Sequence, residues 1–191
     1  MKPWLLFLCL TSTLAVAEDV KILKAEVGQP VVQELMGGCS LRCAFPWTVE
    51  VSRAKGRKSV DYATNDSSVN TAWIDDNAAG SIGSKLVFRF PKKLIPEFQD
   101  TPFYGIDFAD GYLKSDELWK QYSRIKRARL SYNRKALYEL SFKDTPRWQK
   151  FNFDDILIKA GDEMTLEILE VYPGAANPHV AVTEIVLQGA H

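Results

Sequence analysis

The sequence predicts an all-β sandwich or barrel built from about eight short antiparallel strands. Short runs that alternate apolar and polar residues recur along the chain; in residues 85–90, for example, Leu86, Phe88 and Phe90 share one face. Turn residues separate these runs at intervals of roughly ten residues. No long amphipathic helical pattern interrupts them.

The first 17 residues are predicted to be a secretory signal peptide. Lys2 supplies the positive start, residues 4–10 form the apolar run, and residues 15–17 (Ala-Val-Ala) form a small-x-small cleavage site. A lipoprotein with Cys9 as the lipidated residue is the competing interpretation, disfavoured because Leu8 occupies the position where a small residue is expected. The mature product is therefore expected to be secreted or periplasmic.

Residues 18–37 are predicted to be an N-terminal extension and residues 38–191 a single domain. No later stretch is apolar and long enough to span a membrane. The 24 Lys and Arg residues balance the 24 Asp and Glu residues, which argues against nucleic acid as the main partner.

Two cysteines remain after the signal peptide, Cys39 and Cys43 in CSLRC. In an oxidising compartment the simplest interpretation is a disulfide that closes a tight local ring. Half of a metal site is the alternative, but only His179 and His191 are available as further soft ligands.

The predicted strands follow one another between turn signals. They are residues 47–51, 85–90, 103–108, 124–132, 136–142, 148–153, 164–172 and 180–187. Ser115 is expected to cap one short helical turn that reaches Tyr122. Residues 133–135 read as a hairpin turn.

The loop of residues 61–71 is dense in short oxygen-bearing side chains and leads to Trp73. Such side chains can close tight turns by bonding to the backbone, or they can wrap a hard cation in oxygens. We expect Trp73 to be a core residue that packs this loop against the sandwich.

Four blocks in order carry a family resemblance: CSLRC, the pattern D-x-x-x-x-T-A-W at residues 66–73, DGYLKSDELWKQYSRIKRARL and EVYPGAANPHVAVTEIVLQG. Together they resemble the discoidin-like (F5/8 type C) domain named for the translocation domain of bacterial NAD glycohydrolase toxins, also called the NADase-type glycan-binding domain. The resemblance implies a galactose-binding-like jelly-roll β-sandwich that is a binding module. The toxins' NAD-cleaving activity resides in another domain, so the resemblance does not imply that activity here.

The resemblance also implies a structural calcium ion at one end of the sandwich. The matching ligand positions are Asp66, Ser68, Thr71 and Glu184, although Ser68 stands where an acidic or amide residue is usual. Glu184 indicates a special environment without any resemblance. It shares strand parity with apolar residues, so its side chain is expected on the apolar side, and a buried carboxylate needs a partner. That partner could be calcium, backbone N–H groups, Arg or Lys; a register change beside Ile185 is the alternative.

Sugar binding needs an aromatic plate beside polar groups that bond to hydroxyls. The aromatic candidates are Trp47, Trp119, Tyr122 and Trp148. We predict a ligand site at Trp119, Tyr122, Asp75 and Asp76, although a half-buried structural role and a solvated turn are the alternatives.

No nucleophile elbow, H-E-x-x-H motif or phosphate-binding loop is present, so we predict that the chain is not an enzyme. A glycan or cell-surface polysaccharide is the expected partner. The alternative is a protein-interaction or envelope-structural module without a sugar site, and a hydrolase is a third possibility.

Overall fold

The computed structural model of this 191-residue chain describes residues 20–31, 48–51, 64, 66–93 and 100–189. Within those ranges the chain forms eleven strands and one short helix, which confirms the predicted all-β class. The strands are β1 (Lys21–Lys24), β2 (Glu26–Pro30), β3 (Thr48–Val51), β4 (Trp73–Ile74), β5 (Lys85–Arg89), β6 (Thr101–Asp110), β7 (Tyr122–Tyr132), β8 (Lys135–Ser141), β9 (Arg147–Ile158), β10 (Glu163–Tyr172) and β11 (Asn177–Gly189). The helix, α1 (Asp116–Gln121), connects β6 with β7.

The strands form two layers with the core between them. One layer has the order β2-β9-β6-β11, with β4 added on β11. The other has the order β1-β8-β7-β10-β5-β3. The start of β11 joins the layers, because it pairs with β7 before the strand continues beside β6. Neighbours are mostly antiparallel, as predicted; among the described strands the β1–β8 and β7–β11 pairs are parallel.

Phenylalanine rings from two strands and a turn form the centre of the core. Phe108, Phe142 and Phe151 meet edge to face, with ring centroids 4.8, 5.0 and 6.0 Å apart. Each such side chain contributes roughly 1.5–3 kcal/mol by burial. Trp73 belongs to the same cluster and is 3% exposed, so the expectation that it is a core residue is confirmed.

Local sequence signals account for most element boundaries. In β5, Leu86 and Phe88 are buried whereas the flanking Lys85 and Arg89 are exposed, which is the alternation expected of a strand with one face on the core. The side chain of Ser115 accepts a hydrogen bond from the N–H of Leu118, so Ser115 caps α1 as predicted.

Residues 18–37 contain two strands that the sequence did not reveal. β1 pairs with β8 in one layer, and β2 pairs with β9 in the other. Ala25 lies between them and donates its N–H to the Ser141 carbonyl. The segment predicted as an extension therefore contributes hydrogen bonds to both layers. It lacked a strand signal because these strands are short and exposed; Ile22, for example, is 56% exposed.

The core-facing side of β11 changes along the strand. Val180 and Val182 belong to the core cluster, but further along Ile185 and Leu187 replace them on the core side. Glu184 therefore faces away from the core beside Ala109 of β6, where its carboxyl accepts the Ser68 N–H. The expectation that Glu184 projects from the apolar side of the strand is therefore wrong: the side on which core residues lie changes between Val182 and Ile185, which matches the alternative of a register change beside Ile185.

Candidate functional site

The candidate site residues lie at the end of the sandwich where β6 and β10 finish and β7 and β11 begin. Four segments meet there: residues 66–72, 75–84, 111–121 and 173–177. We call this the loop end. Its segments are joined by backbone hydrogen bonds, for example from Ala175 N–H to the Lys120 carbonyl at 2.9 Å.

The carboxylates of Asp66 and Glu184 both accept a hydrogen bond from one backbone N–H group. The Ser68 N–H lies 3.0 Å from Asp66 Oδ1 and 3.2 Å from Glu184 Oε1. The Thr71 hydroxyl donates to Asp66 Oδ2 at 2.6 Å. The structure thus brings together the four residues that the resemblance implied as calcium ligands, although Ser68 and Glu184 are 116 positions apart.

The Glu184 carboxyl is buried beside another acid. It is 2% exposed, and no salt bridge joins it to a Lys or Arg side chain in the described ranges. Burial raises its pKa to about 7; the Ser68 N–H opposes this rise and the nearby Asp66 carboxyl adds to it. A buried Glu184 carboxyl beside the half-buried Asp66 carboxyl is stabilised by a proton on Glu184 or by a cation.

The donors at this place suit a hard cation. Calcium takes six to eight oxygen ligands, and two carboxylates with the Ser68 and Thr71 hydroxyls supply oxygens only. Among the described residues no three His, Cys, Asp or Glu side chains converge on one point. Backbone carbonyls and water would therefore complete the shell. The oxygen ligands that these residues offer suit calcium, although only the two carboxylates can carry a negative charge.

Trp119 is half-buried at the loop end and three neighbours fix its ring. Its Nε1–H donates to the Asp110 carbonyl at 3.3 Å, and the Arg124 guanidinium carbon lies 4.6 Å from the ring centroid. Gly111 has a φ of +98°, and a Cβ there would lie 2.4 Å from Trp119 Cδ1. Only glycine allows the ring this close approach.

Tyr122 packs against Tyr112, which was not among the predicted site residues. The rings of Tyr112 and Tyr122 meet edge to face with centroids 5.7 Å apart. The Tyr112 hydroxyl donates to the Asn70 carbonyl at 3.2 Å, so it connects the loop of residues 66–72 with the aromatic segment. In the sequence, Tyr112 stands in the block DGYLKSDELWKQYSRIKRARL that carries the family resemblance.

The two acidic candidates occupy different environments. Asp75 is fully buried: it accepts the Ser84 hydroxyl at 2.6 Å and the Asn77 N–H at 3.3 Å. Asp76 is exposed. The exposure that a sugar contact requires is therefore found for Asp76 and not for Asp75, whose carboxylate holds its own loop. The sequence carried no signal for this difference, because it depends on the Ser84 partner.

A groove of 430 Å³ runs between residues 79–82 and residues 173–178. None of the residues that line it carries a charge. The Ser123 hydroxyl donates to the Asn177 carbonyl at 3.2 Å and accepts the Gly174 N–H at 3.0 Å, which fixes one wall. Ile82 forms part of the opposite wall and is 62% exposed.

Asp110 is a third buried acid at the loop end, after Glu184 and Asp75. It is 1% exposed; Oδ1 accepts the Ile125 N–H at 3.2 Å, and Oδ2 has no hydrogen-bond partner among the described residues. Burial raises its pKa to about 8, against the opposing effects of the Ile125 hydrogen bond and the Arg124 charge. At neutral pH this carboxyl holds its proton in the folded state.

Cys39, Cys43 and the side chain of Trp47 fall outside the described residues. Trp148 is half-buried on β9 and contacts Gly28 of β2.

The geometry agrees with a family comparison. The family described as "NAD glycohydrolase translocation F5/8 type C domain" matches residues 47–188, most of the chain. The chain belongs to this family. A comparison with curated protein sequences found no significant match.

Solved structures similar to this member of the translocation F5/8 type C family include CBM32 domains and a putative chitobiase fragment. The CBM32-1 and CBM32-2 domains of Clostridium perfringens ZmpB in complex with GalNAc align at 13% identity and a TM-score of 0.57, covering 90% of this chain and 40% of that chain. A structure of the same protein that includes its M60 catalytic domain aligns at 12% identity and a TM-score of 0.54, covering 93% of this chain and 17% of that chain.

A third similar structure is a putative chitobiase fragment from Bacteroides thetaiotaomicron. It aligns at 15% identity and a TM-score of 0.50, covering 76% of this chain and 89% of that chain. At these identities the likeness concerns the fold, and the predicted galactose-binding-like sandwich is confirmed. The family member thus spans less than half of each ZmpB chain. None of its described helices is long and apolar enough to cross a membrane.

Proposed function

We propose that this chain is a non-catalytic carbohydrate-binding module that binds a glycan or cell-surface polysaccharide at the loop end. The observation that carries this proposal is the Trp119 ring, which three neighbours hold in one orientation. A fixed aromatic ring can stack on the apolar face of a pyranose at a small entropic cost. Tyr122 lies in the same segment, and exposed Asp76 offers a carboxylate for sugar hydroxyls.

The nature of the similar structures supports the same class. Two of the three contain CBM32 domains, and one of these is in complex with GalNAc. In ZmpB such domains accompany a separate M60 catalytic domain. This division of labour supports a binding role without bond cleavage for the present chain.

A glycan array with the purified protein tests this function, with GalNAc-terminated glycans among the probes. Binding to at least one glycan is expected, and Trp119→Ala should weaken it at least tenfold. Trp148→Ala is the matched control, because this half-buried tryptophan lies on β9 and not in the α1 segment. Absence of binding above background, or equal binding by the two variants, would contradict the proposal.

A protein-interaction or envelope-structural module is the second candidate, and the groove favours it. Its lining is uncharged and Ile82 is exposed at its edge, which suits an apolar side chain of a protein partner. If this candidate is correct, the chain binds no glycan. It captures a purified surface protein instead, and Ile82→Asp abolishes that capture. Capture that Ile82→Asp leaves unchanged would count against it.

We also propose that Asp66, Ser68, Thr71 and Glu184 hold a structural calcium ion. The bound ion would neutralise the two carboxylates and hold the loop against β11. Calcium in excess should raise the melting temperature relative to a chelator, and Glu184→Gln should abolish most of that rise. An unchanged melting temperature in wild-type protein would refute the ion at this place.

Export and the disulfide remain proposals from the sequence. Cleavage after Ala17 would yield a mature protein that begins at Glu18, in a secreted or periplasmic location. Intact mass and N-terminal sequencing of exported protein test the cleavage. A mass about 2 Da below the reduced form, as expected for one disulfide, would support the Cys39–Cys43 bond; free thiols would contradict it.

A further inference from the structure

Arg124 is a buried cation whose contacts exceed those of an ordinary ion pair. It is 7% exposed, and its Nε and Nη2 bind Asp144 Oδ1 and Oδ2 at 2.8 and 3.0 Å. Asp144 lies in the turn between β8 and β9, so this two-point pair fixes the plane of the guanidinium group against a turn outside the aromatic segment.

The remaining guanidinium nitrogen closes the C-terminal end of α1. Nη1 donates to the Trp119 carbonyl at 3.3 Å and to the Tyr122 carbonyl at 2.7 Å. The two carbonyls between them accept the Ala175 and Ala176 N–H groups at 2.9 and 3.2 Å. Arg124 and the loop of residues 173–177 therefore satisfy the carbonyls that a short helix leaves unpaired.

The same guanidinium group lies over the Trp119 ring, 4.6 Å from its centroid. One face of the ring is thus in contact with a cation whose position Asp144 fixes. A ligand must use the other face or the edge. A lysine could not make the same contacts. Its ammonium group lacks the planar guanidinium fork that binds Asp144, donates to the helix C-terminal carbonyls and stacks on the Trp119 ring at the same time.

We propose that Arg124 is a positioning residue that holds the Trp119 ring in its binding orientation; this inference rests on the proposed glycan-binding function. Without the guanidinium group the ring loses its stacking partner and the helix loses two caps, so several ring orientations become populated. The apparent dissociation constant rises in inverse proportion to the fraction of protein that is binding-competent.

Fluorine NMR of protein labelled with 5-fluorotryptophan reads ring orientation without any ligand. Trp119→Phe assigns the Trp119 resonance. Arg124→Met should shift and broaden that resonance while the other tryptophan lines stay in place. Arg127→Met is the matched control: Arg127 is on the same strand and binds Glu139 and Glu170 but does not contact Trp119. An unchanged Trp119 line in Arg124→Met would overturn the inference.

Arg124→Lys and Asp144→Asn keep the inference testable if Arg124→Met does not fold. Both should move the Trp119 resonance, Arg124→Lys through loss of the fork and Asp144→Asn through loss of the charge that fixes the guanidinium plane. A wild-type spectrum from both would show that neither the fork nor its anchor positions the ring, which also overturns the inference.

Affinity for a GalNAc-terminated glycan measures the consequence for binding. Arg124→Lys is expected to raise the dissociation constant about tenfold, as for a binding-competent fraction that falls to about 0.1, whereas Arg127→Met leaves it unchanged. Equal affinities of the two variants would refute the positioning role. If wild-type protein binds no glycan, the proposed function fails, while the fluorine spectra still decide whether Arg124 positions the ring.

Discussion

Replacement of Asp110 by asparagine is expected to remove a large pH dependence from the stability of this protein. Burial raises the pKa of the Asp110 carboxyl from 3.8 to about 8 in the folded state. Between those values the folded protein keeps a proton that the unfolded chain releases. Stability from this group is therefore fully present below about pH 4 and is lost as the pH rises towards about 8.

The magnitude follows from the two pKa values. At 1.36 kcal/mol per pKa unit, the full shift corresponds to roughly 5–6 kcal/mol as an upper figure. Between pH 5 and pH 8 the linkage relation gives a loss of roughly 3–4 kcal/mol in the free energy of unfolding. The asparagine side chain of the variant does not titrate in this range, so the variant should lack this loss. Its amide carbonyl can still accept the Ile125 N–H.

Urea denaturation of wild-type protein and Asp110→Asn at pH 5 and pH 8, with chelator present, measures the difference. The change in unfolding free energy between the two pH values is compared for the two proteins. Their difference cancels the contribution of Glu184, whose raised pKa acts in the same direction. Asp116→Asn, an exposed change on α1, is the control and should keep the wild-type pH dependence. An equal fall in stability for wild-type protein and Asp110→Asn would show that burial does not hold the proton on this carboxyl.

Other changes probe the packing, the loop end and the outer charges. Phe108→Ala removes a core ring and should lower the free energy of unfolding by about 3–5 kcal/mol in urea denaturation. Gly174→Ala would place a Cβ 2.2 Å from the Gln121 carbonyl oxygen, so calorimetry should show a lower melting temperature. Gly80→Ala, where nothing lies within 4 Å, should cost only the roughly 1–2 kcal/mol of its positive φ. Glu139→Gln loses ion pairs with two β7 arginines and should cost at most about 1 kcal/mol, less at high salt. Equal melting temperatures for the glycine variants, or a salt-independent cost for Glu139→Gln, would contradict these expectations.

The long strands were predictable because alternation reports burial directly. β5 shows this relation, since each of its charged ends is exposed while Leu86 and Phe88 face the core. The helix cap at Ser115 was equally local, because its hydroxyl and the Leu118 N–H lie within one turn. Features of this kind depend on neighbours in the sequence and need no knowledge of the fold.

Features that depend on distant partners were not predictable in the same way. β1 and β4 are too short to show a period, and pairing with β8 and β11 defines them. The side on which Glu184 lies depends on a register change within β11. The burial of Asp75 depends on Ser84, and the role of Tyr112 depends on the Asn70 carbonyl.

The N-terminal strands have a practical consequence for anyone who trims this protein. The family match begins at residue 47, after β1 and β2. A fragment cut at that point would leave the outer sides of β8 and β9 without their hydrogen-bonding neighbours. Bare strand edges recruit other strands, so such a fragment should self-associate more readily than the longer chain.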